Sequence, residues 1–214
     1  MNQDDFYAGQ LAQLREAGML RSLRTMSDGA GPVVSVDGRR ALMLCSNNYL
    51  GLANDPRMKS AACAAIESHG TGATGSRLVS GNSDLYSALE SDMARFKRTE
   101  SALVFASGYH ANLGAITALA GAGDAIFSDE LNHASIIDGA RLSRATIHIY
   151  KHSDVDHLTQ LLKSSSPTGK KLIVTESIFS MDGDIAPLAD ICAAAQRHGA
   201  WVMIDEARSE EHTS

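Results

Sequence analysis

The sequence has few cysteines, and their spacing fits neither disulfides nor zinc. Cys45, Cys63 and Cys192 are odd in number and far apart, and no Cys-x-x-Cys occurs among the 214 residues. This pattern argues against a disulfide framework and a structural zinc site, and it suits a reducing cytoplasm.

The chain also lacks the positive charge and the long apolar runs that some other protein classes need. Its formal net charge is −6, which argues against a nucleic-acid partner. No apolar run approaches the length of a membrane span. The first ten residues, MNQDDFYAGQ, are acidic and polar, so they are not expected to act as a signal peptide. We expect a cytoplasmic globular protein.

Helices and strands are predicted along the chain from apolar spacing and turn residues. The first part predicts a helix over 5–20, a hairpin with strands 33–36 and 41–44 around Asp37-Gly38, and helices over 56–69 and 83–97. From residue 102, strands alternate with helices. The predicted strands are 102–105, 125–127, 146–150, 172–175 and 201–204, and the helices between them are 109–119, 133–142, 155–163 and 188–198.

This alternation of apolar strands and helices indicates an α/β fold with a mostly parallel sheet flanked by helices. We predict an N-terminal helix and hairpin segment over 1–45, an incomplete large domain over 46–207, and a tail over 208–214.

Ligands of open α/β sheets bind beyond the carboxyl ends of the strands. The candidate site residues at these positions are Ser107, Gly108, Tyr109, His133, Glu176, Ser180 and Asp205. The first three lie at the start of a helix, whose free N–H groups suit a phosphate. His133 could stack on a planar ligand or transfer protons. Each feature also has a purely structural explanation, as a helix cap, a core histidine or a turn.

Two other patterns point to no site. His148, His152 and His157 are loosely spaced, no His-Glu-x-x-His occurs, and we expect these histidines at the surface. The glycines of GTGATG do not directly follow a strand, so a nicotinamide-dependent dehydrogenase ranks last among the interpretations.

Taken in order, six stretches resemble the α-oxoamine synthases, pyridoxal-phosphate (PLP) enzymes with the aspartate-aminotransferase fold. They are CSNNYLGL (45–52), GTGATGSRLVSG (70–81), SGYHAN (107–112), DELNHASIIDG (129–139), ESIFSMDGD (176–184) and VMIDEA (202–207). The resemblance implies a homodimer in which L-alanine reacts with an acyl thioester, pimeloyl-CoA or pimeloyl-carrier protein, with decarboxylation. The alternative within the family is glycine with acetyl-CoA.

The resemblance also implies roles for the residues. Gly108 and Tyr109 would hold the PLP phosphate, His133 would stack on the ring, and Asp205 would pair with the ring nitrogen. Glu176 and Ser180 would line the cofactor face. Asn47 would bind the substrate carboxylate, and Arg21 would bind the same group or the acyl donor.

The likeness breaks at residue 208. The family pattern continues from Ala207 with histidine, whereas this chain has Arg208, and the family's cofactor-binding lysine lies further downstream. We interpret RSEEHTS as read-through of a sequencing adapter, and we expect the 214-residue chain to be inactive and poorly stable. A non-catalytic protein that binds a phosphate ligand or a partner subunit is the remaining alternative.

Overall fold

The computed structural model describes residues 2–209, and the chain divides into two compact units, Met1–Gly72 and Ala73–Ser214. The elements of the first unit are helix α1 (Gln3–Glu16), strands β1 (Met26–Ser27), β2 (Val33–Val36) and β3 (Arg39–Leu42), a 3-10 turn (Leu52–Asn54) and helix α2 (Pro56–His69). The three strands form one antiparallel sheet in chain order.

The predicted hairpin is present, and its turn explains its register. Val36 pairs with Arg39, so Asp37 and Gly38 alone form the loop. Both have positive φ, 48° and 79°, as the tight two-residue hairpin turn requires. Strand β3 begins and ends two residues earlier than predicted because this short turn fixes where pairing starts.

Helix α2 has the bounds that its sequence predicts. The Asp55 side chain accepts the N–H of Arg57 at 2.8 Å, and Pro56 occupies the first helical position. Gly70 follows the last turn with φ 78°. By contrast, α1 stops at Glu16 rather than continuing to residue 20, because Gly18 adopts a left-handed conformation with φ 67°.

The second unit carries the α/β sheet. Its helices are α3 (Asp84–Lys97), α4 (Gly108–Leu119), α5 (Ala134–Ser143), α6 (Val155–Ser164) and α7 (Leu188–His198). Its strands are β4 (Ala125–Asp129), β5 (Thr146–Tyr150), β6 (Lys171–Glu176) and β7 (Ala200–Asp205). All neighbouring strands are parallel, in the order β5-β4-β6-β7. The predicted fold class is confirmed.

Apolar side chains alternate between the two faces of this sheet and build two cores. On one face, Phe127 and Ile173 pack with Leu158 of α6 and Ile191 of α7. On the other, Ile126, Leu172 and Val174 pack with Ile116 of α4 and Ile136 of α5. Helices therefore cover both faces, which explains the nearly continuous apolar strands.

The strand predicted over 102–105 is wrong. Its backbone joins no ladder among the described residues, and side chains hold it instead. The N–H of Val104 donates to Glu90 Oε1 at 2.8 Å, and its carbonyl accepts from Arg77 Nη1 at 3.1 Å. The segment has strand composition but lacks a pairing partner.

No helix within residues 2–209 is both long enough and apolar enough to cross a membrane.

Candidate functional site

A cavity of about 160 Å³ lies at the carboxyl ends of the parallel strands. Six of the predicted site residues line it, namely Gly108, Tyr109, His133, Glu176, Ser180 and Asp205. The order in which strands are added to the sheet reverses here, because β5 lies on one side of β4 whereas β6 and β7 lie on the other. Such a reversal leaves a crevice at the strand ends, where open α/β sheets bind ligands.

The N-terminus of α4 forms one side of the cavity. Ser107 caps this helix, since its Oγ accepts the N–H of His110 at 3.2 Å. Within the described part of the chain, the N–H groups of Gly108 and Tyr109 have no acceptor. A side chain added at Gly108 would meet no atom within 4 Å, so the backbone there is open. This end of the cavity can bind an anion.

Asp205, the last residue of β7, has both carboxylate oxygens held. Asn112 Nδ2 donates to Oδ2 at 2.7 Å, and the N–H of Ala207 donates to Oδ1 at 2.9 Å. Asn112 is 6% exposed, so this contact is fixed from within the protein. The carboxylate orientation is thus set before any ligand binds.

His133 is joined to the same network. It directly precedes α5, and the N–H of Ser135 donates to its Nδ1 at 3.2 Å. The Ser135 hydroxyl lies 2.7 Å from Nδ1 and accepts from Asn112 Nδ2 at 2.9 Å. Because Nδ1 accepts from the backbone, Nε2 carries the ring proton. The predicted helix start at residue 133 is corrected by one residue, since His133 is the cap.

Glu176 lies beside Asp205, because the two residues are paired in register at the ends of β6 and β7. Burial raises the pKa of the Glu176 carboxyl, and the neighbouring Asp205 charge raises it further. Its Oε1 accepts the N–H of His133 at 2.6 Å, and the N–H of Ser180 also donates to the carboxyl. Glu176 therefore ties together the backbones on two sides of the cavity.

Three predicted residues do not line this cavity. Ser107 is the helix cap described above. Arg21 and Asn47 belong to the first unit, and their substrate roles stay predictions. In the predicted tail, Arg208 lines the cavity and Ser209 is buried, whereas 210–214 lie outside the described residues.

Two polar residues of this network were not predicted as site residues. Asn112 and Ser135 lie inside quoted motifs, but each reads as an ordinary helix residue. Asn112 lies one turn into α4. The first turn of this helix was predicted to bind a phosphate beside the strand ends, and Asn112 lies on the same face of the helix. That placement was the available signal. Together with His133 and Asp205, the two residues form a continuous hydrogen-bonded chain.

The prediction that His152 is a free surface residue is wrong. Its side chain is 23% exposed, with Nδ1 3.0 Å from Asp129 Oδ1 and Nε2 2.8 Å from Asp184 Oδ2. His148 and His157 are also half-buried: His148 stacks on Phe127, and His157 accepts the N–H of Lys151.

The cavity thus combines an anion-binding helix end, an exposed imidazole and an anchored carboxylate. This set suits a planar ligand with an anionic group at one end and a basic ring nitrogen at another.

The matching family model, the similar sequences and the similar solved structures indicate the same family. The model of the family "Aminotransferase class I and II" matches residues 39–209. The 8-amino-7-oxononanoate synthase of Geobacter sulfurreducens is 54% identical over 200 residues, covering 94% of this chain and 51% of that protein. The chain spans about half the length of the curated relatives it matches.

Solved structures agree. Serine palmitoyltransferase of Sphingomonas wittichii superimposes with a TM-score of 0.85 at 37% identity, covering 95% of this chain and 51% of that one. Serine palmitoyltransferase of S. paucimobilis, with a bound PLP–myriocin aldimine, gives 0.86 at 35% identity, covering 94% and 53%. The chain therefore belongs to the aminotransferase class I and II family, and the similar proteins named above are α-oxoamine synthases.

Proposed function

We propose that this chain supplies about half of a PLP-dependent acyltransferase that makes 8-amino-7-oxononanoate for biotin biosynthesis. The substrates would be L-alanine and pimeloyl-CoA or pimeloyl-carrier protein, and decarboxylation accompanies the condensation. The observation that carries the proposal is the hydrogen-bonded chain from Asp205 through Asn112 and Ser135 to His133 beside the helix end of α4. The relatives named 8-amino-7-oxononanoate synthase support the choice of product.

PLP, when bound, withdraws electrons from the carbon that carries the substrate amino group, which eases loss of a proton and of carboxylate there. The residues present fit this cofactor. The N–H groups of Gly108 and Tyr109 would bind its phosphate, and Ser107 fixes the helix end that presents them.

Asp205 and His133 would hold the pyridine ring. The Asp205 carboxylate favours a proton on the ring nitrogen, because its negative charge lies at the strand end and its orientation is fixed by Asn112. The His133 imidazole is exposed on the cavity side of α5 and can stack on the ring. Glu176 and Ser180 would line the cofactor face.

Substrate recognition and assembly complete the proposal. Asn47 would bind the alanine carboxylate, and Arg21 would bind it or the acyl donor. A homodimer is supported by the glycine-rich loop, where Leu78 and Val79 are 97% and 86% exposed on a segment that Arg77 anchors. The unpaired Cys45, Cys63 and Cys192 suit the cytoplasmic location we propose.

We further propose that the 214-residue chain alone does not turn over. The family's cofactor-binding lysine follows the last strand described here, and no lysine follows Lys171 in this sequence. Purified 214-residue chain mixed with PLP, L-alanine and pimeloyl-CoA should give no 8-amino-7-oxononanoate by mass spectrometry. Product above a no-enzyme control would contradict this.

The decisive experiment is recovery of the gene past codon 207, followed by assay of the encoded protein. We expect histidine after Ala207, a lysine downstream, and product from L-alanine and pimeloyl-CoA. Product formed only from glycine and acetyl-CoA would show that these two compounds, and not L-alanine and pimeloyl-CoA, are the substrates. A gene that ends in RSEEHTS, with no turnover, would leave a ligand-binding or partner-binding protein.

A further inference from the structure

His152 lies between two carboxylates, outside the cavity. Its Nδ1 is 3.0 Å from Asp129 Oδ1, and its Nε2 is 2.8 Å from Asp184 Oδ2. The ring also meets Phe179 edge-on, with centroids 4.4 Å apart. Asp129 ends β4, whereas Asp184 lies in the loop after β6, so the imidazole joins two separate segments.

This geometry requires a charged ring. A carboxylate oxygen can only accept, so both ring nitrogens must donate, and a neutral imidazole has one N–H. The Asp129 side chain is fully buried, and within residues 2–209 its oxygens otherwise accept only the N–H groups of Leu131 and Ser153. The imidazolium is therefore the one side-chain cation that the structure places against this buried carboxylate among the described residues.

Asp184 belongs to the loop that carries Ser180. Residues 177–186 fold back on themselves through an isolated bridge between Ile178 and Ile185. Phe179, 1% exposed, anchors the loop in the core, and its N–H donates to Asp184 O at 3.0 Å. Ser180 follows directly and lines the cavity. The loop is thus held by the buried Phe179 ring and by the His152 imidazole.

We propose that His152, as an imidazolium clamped by Asp129 and Asp184, is a positioning residue that fixes the 177–186 loop and hence Ser180 at the cavity. The inference rests on the proposed function, in which Ser180 lines the cofactor face. His152 itself touches neither cofactor nor substrate.

The surroundings set the direction of the pH dependence. Burial of the ring disfavours its charge, but the hydrogen bonds to Asp129 and Asp184 outweigh burial, so the pKa of His152 is raised. Glu130 adds a third carboxylate, which accepts the backbone N–H of His152 at 2.9 Å. A raised histidine pKa means that the clamp is complete at low pH and is lost as pH rises through that pKa.

The test is hydrogen exchange of the loop in the longer protein that contains this chain, measured against pH and corrected for the intrinsic rate. The reporters are the amides of Gly183 and Ala186, which donate to Phe179 O and Ser177 O. In the wild type we expect protection to fall as pH rises through the His152 pKa, which NMR titration of the ring locates. His152→Gln should lower protection by about tenfold or more at low pH and abolish the pH dependence.

Two further variants sharpen the test. Asp184→Asn should lower the His152 pKa and move the loss of protection to lower pH by the same amount. Asp182→Asn, the same change on an exposed residue of the same loop, should behave as the wild type. In the active enzyme, the alkaline limb of the pH profile should shift with Asp184→Asn and not with Asp182→Asn.

Three results would overturn the inference. The first is unchanged loop protection in His152→Gln, and the second is an unchanged pH midpoint in Asp184→Asn. The third is a loss of protection in β6 equal to that in the loop of His152→Gln, because the role of His152 would then be merely structural. Failure of the proposed function looks different, because the wild-type protein would then form no product while the exchange results would stand. If the gene ends where this chain ends, the same exchange series is run on the chain itself.

Discussion

Replacing Asn112 should show that its N–H groups, rather than its volume, hold the candidate site together. Asn112 Nδ2 donates to Asp205 Oδ2 at 2.7 Å and to Ser135 Oγ at 2.9 Å. Asn112→Ala removes one charge-assisted and one neutral hydrogen bond, so we expect the free energy of unfolding to fall by about 3 kcal/mol.

Asn112→Asp has nearly the same shape, yet it should be worse. It puts a carboxylate oxygen where a donor lay 2.7 Å from Asp205, a repulsion of about 6 kcal/mol at an effective dielectric constant of about 20. Part of this repulsion is relieved because one of the two carboxyl groups binds a proton. The variant should therefore be less stable than Asn112→Ala at pH 7 and should recover as pH is lowered.

Urea unfolding of the proposed longer protein, followed by circular dichroism at pH 7 and pH 5, measures both effects. Thr117→Ala, on the exposed side of the same helix, is the control and should change stability by less than about 0.5 kcal/mol. PLP affinity should fall in the same order as stability. If Asn112→Asp is as stable as wild type at pH 7, or more stable than Asn112→Ala, the hydrogen-bond argument is wrong.

Three further substitutions test other parts of the structure. Glu176→Gln removes a carboxyl of raised pKa, so the free energy of unfolding of the variant should rise relative to that of the wild type as pH rises above about 4.5. A constant difference between the two free energies from pH 4 to pH 8 in urea titrations would contradict this. Arg77→Ala should expose the glycine-rich loop to limited proteolysis, whereas Arg95→Ala, in an exposed pair, should not; equal cleavage would refute the anchoring role. Leu158→Ala, fully buried, should cost about 2–5 kcal/mol, and the 60% exposed Leu142→Ala almost nothing; similar midpoints would contradict the core assignment.

Structural features that depend on neighbouring residues in the chain were predictable from the sequence. Helix α2 is bounded by Asp55 and Gly70, and both bounds were predicted because capping and termination act within a few residues. The grouping of the site residues at the strand ends was also predictable, because parallel strands bring their carboxyl ends to one edge of the sheet.

Predictions failed where a distant partner decides the outcome. Residues 102–105 have the composition of a strand, but composition does not reveal whether a neighbouring strand is present. The roles of Asn112 and His152 depend on partners far along the chain, Asp205 for the first, Asp129 and Asp184 for the second. No spacing within one motif encodes such contacts.

The strand order β5-β4-β6-β7 also sets the order in which the sheet can assemble. Helix α5 alone separates β4 from β5, and α7 alone separates β6 from β7, so each pair closes a short loop. The β4–β6 seam must span α5, β5 and α6, which costs more chain entropy. We expect joining of the two halves to limit the folding rate, so that substitutions at the seam slow refolding.

Asn132 marks that seam, since its Nδ2 reaches from the end of β4 to Val174 O of β6 at 2.8 Å. His133 comes from one half, whereas Glu176 and Asp205 come from the other. A nascent chain would therefore complete its candidate site in the last step of folding, when the two halves meet.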